Sequence, residues 1–330
     1  MYENLNRNAS VKVLIPTFNG AKFIAQTLDS ILAQTLKPEA VVVIDDGSTD
    51  ETFEIVTSYM DRFAEASVRF GAYQKKHRGI VENFCRCIDL MQGHTYYQIL
   101  HQDDVLDPDF YAVMVPLLED CDGVAMAWCL DRRIDENGHH LSLSGRPNGK
   151  IRWWTHDQYL KYRAELGNQA FCATLIRTDR LLPVSFSADL PVLCDMLFWA
   201  ELSKVCSRLV SVNRPLASYR WHGGNATIAL AQCPSNIIAA EYRVMDRCER
   251  MRNKPFSGFL RRTKLQALFL VRSYIKIRRV TAMGWLNIAN DYRVQMLECC
   301  PASPALRLAA RCVVALRDWW LRLCGRSKHP

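Results

Sequence analysis

The chain has 330 residues, of which 49% are hydrophobic and 23% are charged. This composition is typical of a globular protein with one or two domains, and it excludes the disordered, collagen-like and low-complexity classes. The 13 cysteines include no C-x-x-C pair. We therefore expect free thiols in a reducing compartment, and neither a zinc site nor a disulfide scaffold.

Charge is divided unevenly along the chain. From Glu241 to Pro330 there are 19 Lys or Arg and 6 Asp or Glu, a balance of +13, so the first 240 residues carry −5 of the net +8. The first ten residues lack the apolar core of a signal peptide, and no window reaches the roughly 18 apolar residues that a membrane span requires. We expect a cytoplasmic protein with an acidic body and a basic C-terminal region.

Strands and helices alternate through the first hundred residues. Apolar runs predict strands at 11–15, 40–44, 68–73 and 95–100, and helical spacing of apolar residues predicts helices at 21–36, 50–64 and 79–92. Ser48 or Thr49 is expected to cap the second helix. The alternation predicts an α/β fold with a mainly parallel sheet and helices on both faces.

Distinctive polar residues follow three of these strands: Thr17 and Asn19, then Asp45 and Asp46, then Asp103 and Asp104. Ligands of open α/β sheets bind at the carboxyl ends of the strands, so one crevice should collect these residues. Neither GxGxxG nor GxxxxGK[ST] occurs, so a bound nucleotide would need another means of neutralising its phosphates. Paired carboxylates suit Mg²⁺ or Mn²⁺, and such an ion would offset their mutual repulsion.

Three segments in order resemble the motifs of glycosyltransferase family 2, the inverting enzymes of GT-A fold: VKVLIPTFNGAKFIAQTLDSILAQT, VVVIDDGSTDET and ILHQDDVLDPDF. The resemblance covers about residues 10–225. It implies a Rossmann-like GT-A catalytic domain, which we place at residues 1–230, before a helical basic region at 231–330. It also implies bacterial polysaccharide or lipopolysaccharide synthesis, with a hexosyl or N-acetylhexosaminyl group moving from a nucleotide-diphosphate sugar (a UDP-sugar is favoured) to a glycan or lipid-linked hydroxyl.

The resemblance assigns donor-binding roles in the first half of the chain. Pro16 and Phe18 would flank the nucleotide base, with Phe18 against its ring. Asp46 would accept a hydrogen bond from the base, and Asp45 would help to position that loop. Asn83 is either a further donor contact or an ordinary surface residue of its helix.

The resemblance also implies a metal site. Asp103 and Asp104 match the metal and ribose-diphosphate motif, but His101 stands where the family often has an acid, which makes Asp104 the preferred ligand. The later segment SYRWHGGNAT resembles the closing YRxHGGN segment of the family. There, Arg220 would contact the donor diphosphate, and His222 would complete the metal shell unless it is simply structural.

Inversion by single displacement requires a carboxylate that removes the proton of the acceptor hydroxyl. The family's acidic pair matches the stretch LCDMLFWAEL, in which Cys194 replaces the first acid and Asp195 keeps the second. Asp195 is the predicted base, and Glu201 is its weaker rival. The structural alternative is an Asp favoured by the positive end of a helix dipole.

Aromatic rings pack against sugar faces, so four tryptophans are candidates for an acceptor wall, although each alone is better explained as core. They are Trp153, Trp154, Trp199 and Trp221.

The C-terminal region is predicted to be helical at 236–298 and 303–324. In the second segment, four arginines fall on about half of the helix circumference: Arg307, Arg311, Arg317 and Arg322. A basic amphipathic helix of this kind can lie on an anionic membrane surface, which would make the protein peripheral on the inner face of the cell membrane. The alternative is a helix whose apolar side docks on the catalytic domain.

Two other classes remain open at this point. A nucleotidyltransferase would use a similar metal–carboxylate pair but would release pyrophosphate. A nucleic-acid-binding protein would explain the basic tail, but no binding motif is recognisable and the acidic body argues against a continuous basic surface, so no nucleic acid is expected. His101 and Cys194, in place of acids, also leave open a relative without activity.

Overall fold

The computed structural model describes residues 9–119, 124–165, 167, 169–177, 184–186, 193–205, 207–225, 234–252, 258–282, 284–300 and 302–323. The strands are β1 Ala9–Thr17, β2 Pro38–Asp45, β3 Arg69–Gln74, β4 Tyr96–Ile99, β5 Val105–Leu106, β6 Val124–Ile134, β7 His140–Leu143, β8 Ile151–Trp154, β9 Thr174–Arg177 and β10 Arg208–Arg220. The helices are α1 Ile24–Leu32, α2 Thr52–Thr57, α3 Met60–Glu65, α4 Ile80–Asp89, α5 Phe110–Glu119, α6 His156–Ala164, α7 Cys194–Leu202, α8 Pro234–Met251, α9 Gly258–Ala282, α10 Leu286–Cys299 and α11 Pro304–Leu323.

The described strands form one sheet in the order β3-β2-β1-β4-β9-β6-β10-β5, with β7 paired to β6 and β8 paired to β10. The first four strands are parallel, and Leu14 of β1 lies between Val42 of β2 and Ile99 of β4. Strand β9 pairs antiparallel with both of its neighbours, and β5 pairs antiparallel with β10. The α/β class is confirmed, while the antiparallel strands of the second half make the sheet mixed.

The parallel strands are apolar because both faces of the sheet are covered. Val13 and Ile15 belong to the same buried cluster as Ile24 and Leu28 of α1. Leu14, which points to the opposite face, is also fully buried, and α4 contacts β1 and β2. The four strands predicted at 11–15, 40–44, 68–73 and 95–100 are therefore confirmed, within one or two residues at each end.

The segment after β2 differs from the prediction of one capped helix at 50–64. It forms two short helices, and neither Ser48 nor Thr49 caps them. The Ser48 N–H and hydroxyl both donate to Asp45 Oδ1, at 3.0 and 2.5 Å, while Asp50 Oδ1 accepts the N–H of Thr52 at 3.1 Å. The predicted cap was wrong because the strand-end carboxylate takes the Ser48 hydroxyl first.

The chain divides into two compact units, Met1–Tyr159 with Asn168–His222, and Leu160–Gly167 with Gly223–Pro330. The predicted boundary after residue 230 falls within 226–233, outside the described residues, and stays a prediction.

The second unit contains α8 to α11 around its own buried core, which includes Phe269, Tyr292 and Met296. The helical C-terminal region is therefore confirmed, although the side chains of Arg317 and Arg322 lie outside the described ones. Among the described residues, no helix has the length and apolar character needed to cross a bilayer.

The turn after β2 requires glycine. Gly47 has a φ of +80°, and a Cβ there would lie 3.0 Å from both the His77 nitrogen and the Lys75 carbonyl oxygen. We expect Gly47→Ala to lower the free energy of unfolding by about 1–3 kcal/mol, measured by urea denaturation. The left-handed backbone is strained for alanine, and the added Cβ would also press on the backbone of residues 75–77. Gly93→Ala is the control, since Gly93 has a φ of +81° with nothing within 4 Å of its Cβ position. Equal losses in both variants would contradict the steric part of this explanation.

Candidate functional site

The loops that follow β1, β2 and β4 are joined at one edge of the sheet. The Phe18 N–H donates to Gln102 Oε1 at 2.8 Å, and Gln102 Nε2 donates back to the Phe18 carbonyl at 3.0 Å. The Asn19 N–H donates to Ser48 Oγ at 2.8 Å, and Asn19 Oδ1 accepts the N–H of Thr49 at 2.9 Å. The three loops that carry the polar residues predicted to share a crevice are therefore linked directly at the carboxyl ends of these strands.

Asp46 is buried, and protein donors already occupy both of its carboxylate oxygens. It accepts the N–H groups of Arg78, at 3.0 and 3.1 Å, and of Gly79 at 2.8 Å. Arg86 Nη1 donates to Asp46 Oδ1 at 2.8 Å, and His77 Nδ1 lies 2.9 Å from Oδ2. With these contacts, Asp46 holds the 77–79 loop, and its hydrogen bond to a nucleotide base stays a prediction.

Asp45 and Asn83 also act within the protein. Asp45 is buried and accepts hydrogen bonds from Ser48 and, at 3.0 Å, from Gln74 Nε2. Asn83 is buried on α4 instead of lying on the surface, and its Nδ2 donates to the Ile44 carbonyl at 3.0 Å. Its Oδ1 is buried without a hydrogen-bond partner among the described residues.

Phe18 is the exposed aromatic residue at this edge, with 40% of its surface accessible. Its ring stacks on His77 with centroids 4.3 Å apart and planes 26° from parallel. Pro16 is instead buried within β1, opposite Ile44 of β2. Of the two residues predicted to flank a base, only Phe18 is therefore exposed, and His77 covers one face of its ring.

Asp103 and His222 meet although 119 residues separate them. His222 Nε2 lies 2.9 Å from Asp103 Oδ2, and the two side chains are 14% and 12% exposed. The Phe23 ring packs against the imidazole with centroids 4.6 Å apart. The Asp103 carboxylate and the His222 imidazole therefore face each other, at the accessible side of a cluster that also includes Asp104 and His101.

Asp104 lies deeper than Asp103. Its Oδ1 accepts the backbone N–H of Arg220 at 3.0 Å. Its Oδ2 is buried without a hydrogen-bond partner in the described ranges, and His101 Nδ1 lies 4.0 Å away. Burial, followed by the neighbouring Asp103 carboxylate, raises the pKa of Asp104 well above its usual value.

His101 packs between the rings of Phe84 and Phe171, at centroid distances of 5.5 and 5.1 Å. Burial lowers its pKa, while Asp103 and Asp195 act in the opposite direction. A neutral imidazole is the metal-binding form of histidine. His101, Asp103 and Asp104 offer ligand atoms that lie within 4.8 Å of one another.

These residues fit a divalent cation. The buried Asp104 Oδ2 and His101 Nε2 both lack hydrogen-bond partners among the described residues, and a cation would offset the burial of two adjacent carboxylates. Oxygen and imidazole donors together suit Mn²⁺ and similar ions.

Arg220 is buried and binds the protein around the cluster. Its Nε donates to the Asp103 carbonyl at 2.9 Å, and Nη1 lies 3.3 and 3.2 Å from the carbonyls of Asp135 and Glu136. Nη2 donates to Gln26 Oε1 at 2.7 Å. The guanidinium therefore holds the acidic loop, which carries Asp103 and Asp104, and its contact with a donor diphosphate stays a prediction.

Helix α7 begins at Cys194, and the preceding Leu193 has a φ of +64°, an unusual conformation for a branched side chain. Asp195 lies in the first turn and is partly buried, whereas Cys194 is buried. The Asp195 carboxylate is one of the two charges that act to raise the pKa of the His101 imidazole. Glu201 instead forms an ion pair with Lys204.

The four tryptophans divide into two classes. Trp154 and Trp199 are buried: Trp154 donates to Ser211 Oγ at 2.9 Å, and Trp199 packs on Phe171 with centroids 5.0 Å apart. Their core location leaves no open face for a sugar, so the predicted wall loses these two members. Trp153 and Trp221 are 39% and 40% exposed.

Sequence reasoning missed several residues that shape the site. Gln102 lies inside the recognised motif ILHQDDVLDPDF, and its amide side chain, which can both donate and accept hydrogen bonds, could have indicated its role in joining two loops. His77 and Arg86 lie 31 and 40 residues from Asp46, and Gln26 lies 194 residues from Arg220. No local pattern marks such distant partners.

The sheet and this cluster define an α/β protein with a candidate ligand site at the carboxyl edge of its parallel strands. Residues 12–179, just over half of the chain, match glycosyl transferase family 2, and the chain belongs to that family. The membership predicted from three motifs is confirmed.

Similar proteins of known sequence cover only part of the chain. An uncharacterized glycosyltransferase of Rickettsia prowazekii is 33% identical over 133 residues, which are 40% of this chain and 39% of the relative. The chondroitin synthase of Escherichia coli is 30% identical over 138 residues, 42% of this chain and 19% of the synthase. The matched region thus spans about two fifths of the first relative and one fifth of the second.

Solved structures show the same fold. Residues 1–349 of Staphylococcus aureus TarS, in complex with UDP-GlcNAc, align with 87% of this chain and 90% of that one, with a TM-score of 0.56 and 15% identity. A Pyrobaculum calidifontis mannosyltransferase in complex with GDP-Man and Mn²⁺ aligns with 94% of this chain and 88% of that one, with a TM-score of 0.56 and 16% identity. At such identities the likeness establishes the fold alone.

The raised pKa of Asp104 predicts the sign of a pH effect. Because ionisation is less favourable in the folded state, the carboxyl group costs stability as the pH rises above its unfolded value of about 3.9. We expect Asp104→Asn to have a higher melting temperature than the parent protein at pH 8 in EDTA, with the difference shrinking toward pH 4. Thermal unfolding across this range measures it.

Asp107→Asn is the control for that prediction. Asp107 accepts two hydrogen bonds from Arg132, at 2.6 and 2.8 Å, so its substitution should lower the melting temperature at pH 8. An Asp104→Asn protein that is less stable than the parent at every pH would show that the buried carboxylate is stabilising.

Proposed function

We propose that this chain is an inverting glycosyltransferase that moves a sugar from a UDP-sugar to a hydroxyl of a glycan or lipid-linked acceptor in cell-surface polysaccharide synthesis. The observation that carries the proposal is the cluster of His101, Asp103, Asp104 and His222, beside exposed Phe18, in a family 2 chain. The partial match to a chondroitin synthase and the fold shared with a UDP-GlcNAc complex support it. Family membership favours glycosyl transfer over nucleotidyl transfer.

The stacked rings of Phe18 and His77 would bind the nucleotide base of the donor. The imidazole of His77 covers one face of the partly exposed Phe18 ring, so the opposite face of Phe18 would stack on the planar base. Asp45, Asp46 and Asn83 would act one layer below by holding the loops that carry this surface.

Asp103 and His222 would hold the metal ion at the accessible side of the cluster, with Asp104 and His101 behind them. Two imidazoles favour Mn²⁺ over Mg²⁺, which prefers an all-oxygen shell. When bound, such an ion neutralises the negative charge of the diphosphate in the donor and in the leaving group. Arg220 would keep the acidic loop in place through its hydrogen bond to the Asp103 carbonyl.

Asp195 would be the general base that accepts the proton of the acceptor hydroxyl. The strained residue before it fixes the start of α7 and with it the direction of this side chain. Trp153 and Trp221, which are exposed, would offer ring faces to the acceptor. The basic helical unit would hold the protein peripherally on an anionic membrane surface, where a lipid-linked acceptor resides.

Metal removal tests the proposed ion. We expect EDTA to abolish sugar transfer, and Asp103→Asn or His222→Gln to weaken Mn²⁺ binding in the presence of UDP by at least about tenfold, since each removes a ligand atom. The electron paramagnetic resonance signal of free Mn²⁺ reports binding without requiring turnover. His140→Gln, an exposed histidine on β7, is the control and should bind Mn²⁺ like the parent. Full transfer in EDTA would refute a metal-dependent mechanism.

Asp195→Asn tests the base. Asparagine nearly preserves the shape of the side chain but cannot take a proton, so we expect turnover to fall by about 10²–10⁴-fold while UDP affinity is kept. Glu201→Gln is the matched comparison, because this residue lies on the same helix but pairs with Lys204. Normal turnover of Asp195→Asn, or a failure confined to Glu201→Gln, would exclude Asp195 as the base.

A further inference from the structure

The helical unit contains a groove between α9, α10 and α11 with a volume of about 900 Å³. This volume is in the range of roughly 300–1,000 Å³ that is usual for small-molecule sites. Of the thirteen described residues that line it, none is acidic and four are arginines: Arg278, Arg293, Arg307 and Arg311. Three separate helices thus place guanidinium groups around one groove.

The described residues that line the groove include no acid that could pair with Arg293, Arg307 or Arg311. Arg293 donates to the neutral amide oxygen of Asn290 at 2.7 Å. Arg307 Nε is buried and has no hydrogen-bond partner among the described residues, while Arg311 is exposed. Guanidinium groups bind phosphate oxygens through paired, charge-assisted hydrogen bonds, so the groove has the donors that a phosphate group requires.

Apolar side chains accompany these arginines. Met296 and Val314 are buried in the lining, while Leu297 and Leu308 in the same lining are 43% and 61% exposed. Leu316, further along α11, is 64% exposed. Exposed aliphatic residues beside a basic groove match an interface that has charged headgroups above and hydrocarbon below.

We infer that this groove binds the phosphate headgroup of an anionic phospholipid, with Leu297 and Leu308 entering the boundary between headgroups and acyl chains. The inference rests on the membrane association proposed above and identifies the residues that would produce it. A glycan or a nucleic acid would also be attracted by the arginines, but either would leave the leucines in water. The lipid is therefore the occupant that uses both kinds of side chain.

Vesicle binding of the full chain tests this inference. We expect the protein to sediment with phosphatidylglycerol vesicles and not with phosphatidylcholine vesicles. Arg307→Gln/Arg311→Gln should weaken this partitioning about 30-fold, which corresponds to about 1 kcal/mol for each arginine near an anionic surface. The control is Arg243→Gln/Lys264→Gln, which removes the same charge from exposed residues of α8 and α9 outside the groove and should change partitioning by less than about threefold.

Three outcomes would overturn the inference. Equal losses in the two double variants would indicate attraction by net charge alone. Binding of inorganic phosphate at matched ionic strength, without vesicle binding, would indicate a soluble ligand. Vesicle binding that is unchanged in Leu308→Gln would show that the apolar lip is not inserted.

UDP binding with Mn²⁺, measured on the same proteins, separates this inference from the proposed enzyme. The groove variants should keep the UDP affinity of the parent. Vesicle binding without UDP binding would leave the groove in place and refute the proposed donor. UDP binding without vesicle binding would support the proposed donor and refute the lipid-binding groove.

Discussion

The site depends on the buried guanidinium of Arg220. This group donates to the carbonyls of Asp103, Asp135 and Glu136 and to the side chain of Gln26, while the Arg220 backbone N–H donates to Asp104. One residue at the end of β10 thereby connects the acidic loop, the turn after β6 and helix α1. A lysine could not replace it, because a single ammonium group lacks the fixed, planar set of donors that reaches several acceptors.

The strand-end acids are stabilised in different ways. Both oxygens of Asp45 and of Asp46 accept hydrogen bonds within the protein, and Arg86 also pairs with Asp46, so both carboxylates are stabilised before any ligand binds. Asp103 and Asp104 are adjacent, and the buried Oδ2 of Asp104 has no hydrogen-bond partner among the described residues. Incomplete satisfaction of a buried charge is costly. In the proposed function, the metal ion supplies what the protein does not.

Local patterns predicted the strands, the order of the motifs and the position of the acids, because those features depend on residues close together in sequence. The protein partners of the site residues could not be predicted from local patterns. Arg86 pairs with Asp46, and backbone carbonyl groups surround the Arg220 guanidinium; no local pattern indicates either set of partners. The burial of Trp199 could not be predicted either, because the sequence of an apolar helix does not show whether a given ring faces a ligand or the core.

The reciprocal hydrogen bonds between Phe18 and Gln102 connect the exposed ring to the loop that carries Asp103. A displacement of one loop must therefore be shared by the other or break two bonds together. If the ring binds the base and the loop binds the ion, the two binding events are linked thermodynamically. If the ion raises the affinity for the nucleotide by some factor, the nucleotide must raise the affinity for the ion by the same factor. A free nucleoside would contact the ring alone. Its affinity, measured without the ion, would then show how strongly the hydrogen bonds to Phe18 hold the loop that carries Asp103 in its binding conformation.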